Sequence, residues 1–150
     1  MSALARHFLH QNIPVFGFDR TKTELTEALE KEGALLCYTE DTSAYPGWSE
    51  AETTVIYTPA IASTHPWRLF FEAYEPIKRA AALGQLTKGY KTLAVAGTHG
   101  KTSTSAILTH LLTSAGLDPT AFIGGILTSS RTNYRLGNGP WMIVEADEFD

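Results

Sequence analysis

The sequence LAVAGTHGKTSTSAIL, residues 93–108, decides the fold class of this chain. A short apolar run leads into a loop with two glycines, and the loop leads into a stretch rich in small and apolar residues. This order predicts a strand, a tight turn and a helix, which is the repeating unit of α/β proteins with parallel sheets. Gly97 and Gly100 allow the turn to aim backbone N–H groups at one point, and the N-terminus of the helix adds partial positive charge. We therefore expect the loop to bind a phosphate group.

Two side chains of this loop suit a nucleoside triphosphate. Lys101 supplies a point charge for the β- and γ-phosphates, and the hydroxyl of Thr102 can bind Mg²⁺. The usual phosphate-loop pattern has a glycine five positions before Gly100, where this chain has Val95, so the loop is a shortened variant. The alternative is a glycine turn followed by an exposed lysine without a ligand. His99, inside the loop, either touches substrate or only shapes the turn.

A later apolar run ends in acidic residues. Residues 142–150 read MIVEADEFD, and Glu145 stands where the predicted strand ends. In phosphate-loop enzymes an acid at the end of a neighbouring strand holds Mg²⁺ directly or through water. A solvated acidic loop is the alternative. We expect Mg²⁺ as the metal because the available ligands are hard oxygens and no His/Cys cluster is present to select zinc.

The periodicity of apolar residues predicts the elements around these motifs. We expect helices from Ala3, from a cap at Thr21 paired with Glu24, over 66–74, over 79–86 and over 102–115, and strands over 15–18, 34–38, 53–58, 92–96, 120–123 and 141–144. Residues 87–91 are predicted to be a linker. The fold class is therefore α/β: a Rossmann-like unit with a parallel sheet over 1–89, followed by the first part of a P-loop NTPase-like domain over 90–150.

Composition limits the function further. The chain has 150 residues, of which 43% are hydrophobic and 19% charged, and this excludes a disordered or coiled-coil protein. A net charge of −4 argues against nucleic acid or an anionic membrane as the main partner. No apolar stretch approaches the roughly 18 residues of a membrane span, so we expect a soluble, cytoplasmic protein. Its one cysteine, Cys37, is predicted to be a buried thiol.

Histidines and aromatic residues outside the loop have less decisive patterns. His7, His10 and His110 lie on predicted helices, and we expect them at the surface. His65, which precedes a proline, is a candidate for the ligand cleft of the first unit. The aromatic cluster that includes Trp67 is predicted to pack in the core rather than to stack on a cofactor.

The strings AGTHGKTST, VEADEFD, FIGGIL and YTPAI together resemble the Mur ligases of peptidoglycan synthesis, and most closely the branch that joins L-alanine to UDP-N-acetylmuramate. The resemblance covers essentially the whole chain. It implies that residues 1–89 are the UDP-sugar-binding domain, without its first strand and glycine loop, and that 90–150 begin the central ATP-binding domain. A third domain, which receives the amino acid, would lie outside this sequence, so we expect the chain to be inactive as a ligase by itself.

The resemblance also implies roles for individual residues. The ATP phosphates would be held by Gly97, Thr98, His99, Gly100, Lys101, Thr102 and Ser103. Lys101 would be the catalytic residue that stabilises the transferred γ-phosphoryl group, and Thr102 with Glu145 would bind Mg²⁺. The UDP-sugar would contact Asp19, Thr58 and His65.

The implied reaction is an amide ligation driven by ATP. The lactyl carboxylate of UDP-N-acetylmuramate attacks the γ-phosphate to give an acyl phosphate, and the amine of L-alanine then displaces phosphate. Because carboxylate and triphosphate are both anions, the site has to supply positive charge. Two alternatives stay open: a sister ligase of cell-wall recycling that attaches a tripeptide to the same nucleotide sugar, and a nucleotide-sugar-binding module without catalysis. The oligomeric state is not predicted.

Overall fold

The computed structural model describes residues 1–127 and 132–146, which form two compact units. The first unit is Met1–Ala82 and the second begins at Leu83. Both are α/β units with parallel strands, so the predicted fold class is confirmed at this level. The division falls earlier than residue 90, inside a helix. The assignment of one unit to a UDP-sugar and the other to ATP stays a prediction.

In the first unit, short parallel strands alternate with helices. The helices are α1 (Ser2–His10), α2 (Glu24–Lys31) and α3 (Pro66–Phe70), and α4 (Arg79–Thr87) crosses the division between the units; the strands are β1 (Phe16–Phe18), β2 (Leu35–Cys37), β3 (Ile56–Tyr57) and β4 (Ile77–Lys78). Strands β1 and β2 pair in parallel, and so do β3 and β4, giving two two-stranded sheets. Most predicted strands are thus present but shorter than expected, and β4 was not predicted.

Helix α2 begins at a different cap from the predicted one. Its N-cap is Thr23, whose hydroxyl accepts a hydrogen bond from the N–H of Thr26 at 3.3 Å. The hydroxyl of Thr26 in turn accepts the N–H of Thr23 at 2.8 Å. The predicted cap at Thr21 is wrong because Thr26 supplies the reciprocal bond, and the N–H of Thr21 instead donates to Asp19.

The prediction that His7 lies at the surface is also wrong. Helix α1 packs against α2 on a side that includes Arg6 and His7, and His7 is fully buried. Arg6 donates through Nε to the carboxylate of Glu32 at 2.9 Å, while Nε2 of His7 lies 3.0 Å from Nε2 of Gln11. Burial, and to a lesser degree the charge of His10, lowers the pKa of His7. His10 and His110 are exposed, as predicted.

Of the predicted aromatic cluster, Trp67 packs in the core of the first unit and Phe71 is half-buried, whereas Leu69 and Phe70 are exposed, so the core prediction is confirmed only in part. Trp67 is 3% exposed, and its ring lies 5.3 Å from that of Phe16 and 5.9 Å from that of Phe71, centroid to centroid. Its indole N–H donates to the carbonyl of Thr39 at 2.9 Å, which satisfies the polar end of the side chain. Cys37 is a buried free thiol, in agreement with the prediction.

The second unit is a four-stranded sheet with one long helix. The strands are β5 (Lys91–Val95), β6 (Thr120–Leu127), β7 (Thr132–Arg135) and β8 (Trp141–Glu145), and the helix is α5 (Lys101–Ser114). The strand order is β5-β8-β6-β7, with β8 parallel to both of its neighbours and β7 antiparallel to β6. Its core contains Ala121, Ile123 and Ile143, against which Leu93 and Leu108 pack. Of the predicted linker over 87–91, Thr87 belongs to α4 and Lys91 belongs to β5.

Strand β7 was not predicted from the sequence. Hydrogen bonds to Asp118 hold the end of this strand and the turn that follows it. The carboxylate of Asp118 accepts the N–H of Asn138 at 2.8 Å and a guanidinium nitrogen of Arg135 at 2.7 Å. These bonds lower the pKa of Asp118. A Cβ at Gly137 or Gly139 would collide with the backbone around Asp118, so only glycine fits there. Over the described residues, no helix has the length and apolar character needed to cross a bilayer.

Candidate functional site

The loop between β5 and α5 has the conformation that its glycines predict. Strand β5 ends at Val95, and the helix begins at Lys101 with Gly100 as its N-cap. Gly97 has φ 141° and Gly100 has φ 78°, and side-chain-bearing residues rarely adopt either value. Both glycines are therefore required by the backbone path of the loop.

The loop presents backbone donors at the start of α5. The first bond of the helix runs from the N–H of Thr104 to the carbonyl of Gly100, at 2.9 Å. The N–H groups of residues 101–103 precede that bond, so they point out of the helix N-terminus. Thr98, His99 and Ser103 are exposed around them. A helix of 14 residues adds a positive dipole end at this place. The arrangement suits an anion.

Lys101 folds back over its own loop. Its Nζ donates to the carbonyl oxygen of Gly97 at 2.7 Å. The ammonium group is thus held above the loop, next to the helix N-terminus. A phosphate oxygen, which carries more negative charge than a carbonyl, would form a stronger hydrogen bond with the same ammonium.

The sheet brings Glu145 to the same edge as the loop. Strands β5 and β8 are parallel, their register pairs Val95 with Glu145, and the N–H of Ala146 donates to the carbonyl of Val95 at 3.0 Å. The two strands therefore end side by side. From this position Oε2 of Glu145 accepts a hydrogen bond from the hydroxyl of Thr102 at 3.3 Å. The structure thus brings together the two residues that the sequence predicted as metal ligands.

Sequence reasoning assigned no role to Gly124, which also contacts Glu145. Its backbone N–H donates to Oε1 of Glu145 at 2.7 Å. Gly124 lies in β6, next to β8 in the sheet. A signal was present in the sequence, since two adjacent glycines inside a strand often mark a close approach of another group.

Thr102 and Glu145 suit Mg²⁺ by their chemistry. Both offer hard oxygen ligands, and Mg²⁺ commonly takes one or two protein ligands while keeping water and substrate phosphates. The position is open, because Thr102 and Gly124 are exposed. Within residues 1–127 and 132–146, no group of three His, Cys, Asp or Glu residues could form a metal cluster. The acids at 147, 148 and 150 lie outside the described residues.

The residues predicted to contact the UDP-sugar lie in the first unit, around α3. His65 is the N-cap of α3, and its ring lies 4.9 Å from that of Phe18, the residue before Asp19. Its Nε2 is 3.6 Å from a carboxylate oxygen of Glu40. Arg68, also on α3, lies 3.5 Å from the ring of Tyr57, the residue before Thr58. Residues of helix α3 and its cap therefore contact the strand ends next to Asp19 and Thr58, rather than those two side chains themselves.

The chain with this parallel α/β fold, glycine loop and acid at the neighbouring strand end is similar to ligases that act on UDP-N-acetylmuramate. Relatives that it matches over its whole length include UDP-N-acetylmuramate–L-alanine ligases, among them that of Parabacteroides distasonis at 46% identity. The crystal structure of UDP-N-acetylmuramate-alanine ligase MurC from Thermotoga maritima superposes with a TM-score of 0.81 at 31% identity, over 97% of this chain.

The chain spans about a third of the length of the curated relatives it matches, 34% for the P. distasonis protein, and 34% of the T. maritima structure. A second type of ligase is similar in fold. The structure of UDP-N-acetylmuramate:L-alanyl-gamma-D-glutamyl-meso-diaminopimelate ligase from Neisseria meningitides has a TM-score of 0.80 at 25% identity, and the chain covers 50% of it. No protein-family profile matches the chain.

Proposed function

We propose that this chain supplies the ATP-phosphate site, and part of the UDP-sugar site, of a ligase that joins L-alanine to the carboxylate of UDP-N-acetylmuramate in peptidoglycan synthesis. The observation that carries the proposal is the contact of Thr102 with Glu145 at 3.3 Å, beside the loop that holds the Lys101 ammonium. The similarity to an L-alanine ligase, at 46% identity over the whole of this chain, supports L-alanine as the amino-acid substrate.

In this proposal the second unit binds the triphosphate of ATP. The loop Gly97–Ser103 surrounds the phosphates, with the N–H groups of residues 101–103 as donors. Thr102 and Glu145 would hold Mg²⁺, which would neutralise charge on the phosphates. The Lys101 ammonium leaves the carbonyl of Gly97 and binds the γ-phosphate. His99 lies exposed in the loop, where substrate can reach it.

The chemistry requires two anions to meet. A carboxylate oxygen of UDP-N-acetylmuramate forms a bond to the γ-phosphorus while the bond to ADP breaks, which gives an acyl phosphate. The amine of L-alanine then attacks the acyl carbon, and phosphate leaves. Lys101 and the helix N-terminus contribute by lowering the electrostatic cost of the first step and by fixing the γ-phosphoryl group in line with its attacker.

The first unit would hold the UDP part of the substrate. Asp19 and Thr58 follow the carboxyl ends of β1 and β3, and His65 is the N-cap of α3, which contacts both strand ends. Ligands of open parallel sheets bind at such carboxyl ends. ATP and a nucleotide sugar are both metabolites of the cytoplasm, where we place the protein.

A ligase for a tripeptide acceptor is the second candidate, because the N. meningitides structure is nearly as similar in fold. The two candidates share the phosphate site and differ in the acceptor. Assay of the complete protein that contains this chain, with L-alanine and with the tripeptide in parallel, separates them. Amide formation only with the tripeptide would exclude the L-alanine assignment.

The phosphate site itself is tested with Lys101→Ala and a matched control, Lys88→Ala, which removes an exposed lysine of the same unit away from the loop. Binding of a non-hydrolysable ATP analogue with Mg²⁺ is measured by calorimetry in the complete protein. Loss of a charge-assisted hydrogen bond predicts binding weaker by about tenfold or more for Lys101→Ala and no change for Lys88→Ala. Equal affinities for both variants would contradict the proposed site.

A further inference from the structure

We propose that Gly124 is a positioning residue for Glu145: its N–H anchors one carboxylate oxygen, and its lack of a side chain leaves the space in which the carboxylate faces Thr102. The inference rests on the proposed function, because it assigns a purpose to the orientation of Glu145. It concerns a residue of β6, a strand that sequence reasoning did not connect with the site.

The two oxygens of Glu145 have separate partners. Oε1 accepts the backbone N–H of Gly124 at 2.7 Å, and Oε2 accepts the hydroxyl of Thr102 at 3.3 Å. A glutamate side chain has several rotatable bonds, so a single hydrogen bond would leave the carboxylate free to turn. Bonds to both oxygens from two different elements fix its direction. The shorter bond is the one to the backbone, which cannot move without moving the strand.

The glycine at 124 is explained by this carboxylate and not by the backbone. Gly124 is not among the residues with positive φ, so an L-residue could adopt its conformation. A Cβ built there would collide with Oε2 of Glu145 and lie 3.1 Å from its Cδ. The three nearest atoms that it would meet all belong to that carboxylate. The nearest obstacle to an alanine at this position is therefore the carboxylate of Glu145.

This geometry predicts a specific defect. The obstacle is the end of a flexible side chain, so Gly124→Ala can fold by pushing the carboxylate away, at little cost to stability. The displaced carboxylate can no longer share its position with Thr102. We therefore expect an effect on cation-dependent nucleotide binding that is separate from any effect on folding.

The neighbouring glycine, Gly125, also lies close to a side chain of the site. A Cβ at Gly125 would lie 3.0 Å from the methyl carbon Cγ2 of Thr102, which is a tight contact but not a collision. The pair of glycines thus leaves space under both oxygen-bearing side chains of the site. The closer contact is at Gly124, which makes that position the sharper test.

The experiment titrates Mg²⁺ into the complete protein with a non-hydrolysable ATP analogue, and it follows nucleotide binding by calorimetry and the melting midpoint in parallel. Loss of a residue that orients a metal ligand costs about 10- to 100-fold in metal affinity. We expect Gly124→Ala to raise the half-saturating Mg²⁺ concentration by about tenfold or more, with little change in the melting midpoint. The control is Gly84→Ala, where a new Cβ meets no atom within 4 Å, and it should leave the Mg²⁺ dependence unchanged.

A second pair of variants makes the test specific to Glu145. In a Glu145→Ala background the obstacle is absent, so adding Gly124→Ala should have no further effect on the Mg²⁺ dependence. This comparison also holds if Gly124→Ala alone folds poorly, because the double variant has room for the new Cβ. An equal effect of Gly124→Ala in both backgrounds would overturn the inference.

The inference and the proposed function fail in different ways. If Gly124→Ala binds Mg²⁺ and the nucleotide as the unchanged protein does, while Lys101→Ala loses nucleotide affinity, the positioning role is excluded and the phosphate site stands. If Lys101→Ala also binds normally, the phosphate site is excluded and the inference falls with it.

Discussion

The hydroxyl of Thr102 donates to the carboxylate of Glu145 at 3.3 Å, across 43 positions of the sequence. The contact joins the first turn of α5 to the end of β8. It exists because β8 pairs in parallel with β5, the strand that leads into the loop. The sheet register therefore creates the candidate metal site.

Replacing Thr102 tests whether its hydroxyl contributes to cation binding. Thr102→Val removes the oxygen and keeps the shape, whereas Thr102→Ser keeps the oxygen. Loss of a hydrogen-bonding oxygen beside a charged group predicts a loss of about tenfold or more in Mg²⁺-dependent binding of an ATP analogue. The serine variant should retain most of the affinity. If valine and serine bind equally well, the hydroxyl is not a ligand.

Two glycine-to-alanine changes should have opposite effects on stability. Gly100 has φ 78° and open space around it, so Gly100→Ala costs only the left-handed backbone, about 1–2 kcal/mol. Gly84 is an exposed residue inside α4, where alanine favours the helix by roughly 0.5–1 kcal/mol. Denaturant unfolding measures both. If both variants changed the free energy of unfolding equally and in the same direction, the left-handed conformation of Gly100 would be contradicted.

His7 should make the stability of the first unit depend on pH. Its pKa is lowered from 6.5 by burial first and by His10 second, so the unfolded chain binds the proton more readily. Stability is therefore complete above about pH 6.5 and is lost as the pH falls below it, by at most about 1.4 kcal/mol per pH unit for this group.

The measurement for His7 is the free energy of unfolding at several pH values, followed by Trp fluorescence. His7→Gln should flatten the dependence below pH 6.5. Replacing the exposed His110 with glutamine should leave the pH dependence of the free energy of unfolding unchanged. A dependence that survives in His7→Gln would show that another group causes it.

Trp67 should contribute more to stability than the other tryptophan of the first unit. Trp67→Phe removes the N–H that donates to the carbonyl of Thr39 and leaves that oxygen only the weak donor Sγ of Cys37 at 3.3 Å, so the lost hydrogen bond costs about 0.5–1.5 kcal/mol. Trp48 is half-buried: its ring lies 6.0 Å from that of Tyr45, and its backbone oxygen, which a substitution leaves in place, accepts the hydroxyls of Tyr45 and Tyr74. Trp48→Phe should therefore cost less in denaturant unfolding, and a larger loss there would contradict the described core.

Local patterns were sufficient for most of the elements. The sequence predicted the loop before α5, the helix itself and an apolar strand ending at the acids, because glycine turns and apolar periodicity act within a few residues. It failed at Thr23, where the partner of the cap is Thr26, and at His7, where a polar residue lies on the buried side of α1. It also missed β7, a four-residue strand whose turn is held by Asp118 from an earlier segment.

Residues 93–108 alone are enough to predict that a strand, a glycine loop with Lys101 and a helix follow one another, because backbone freedom and helix polarity are local properties. The contacts of Glu145 with the hydroxyl of Thr102 and with the N–H of Gly124 form only in the assembled sheet. Those contacts depend on which strands are neighbours and in what register. Pairing between distant segments follows from the packing of the whole sheet, which no short stretch of residues encodes.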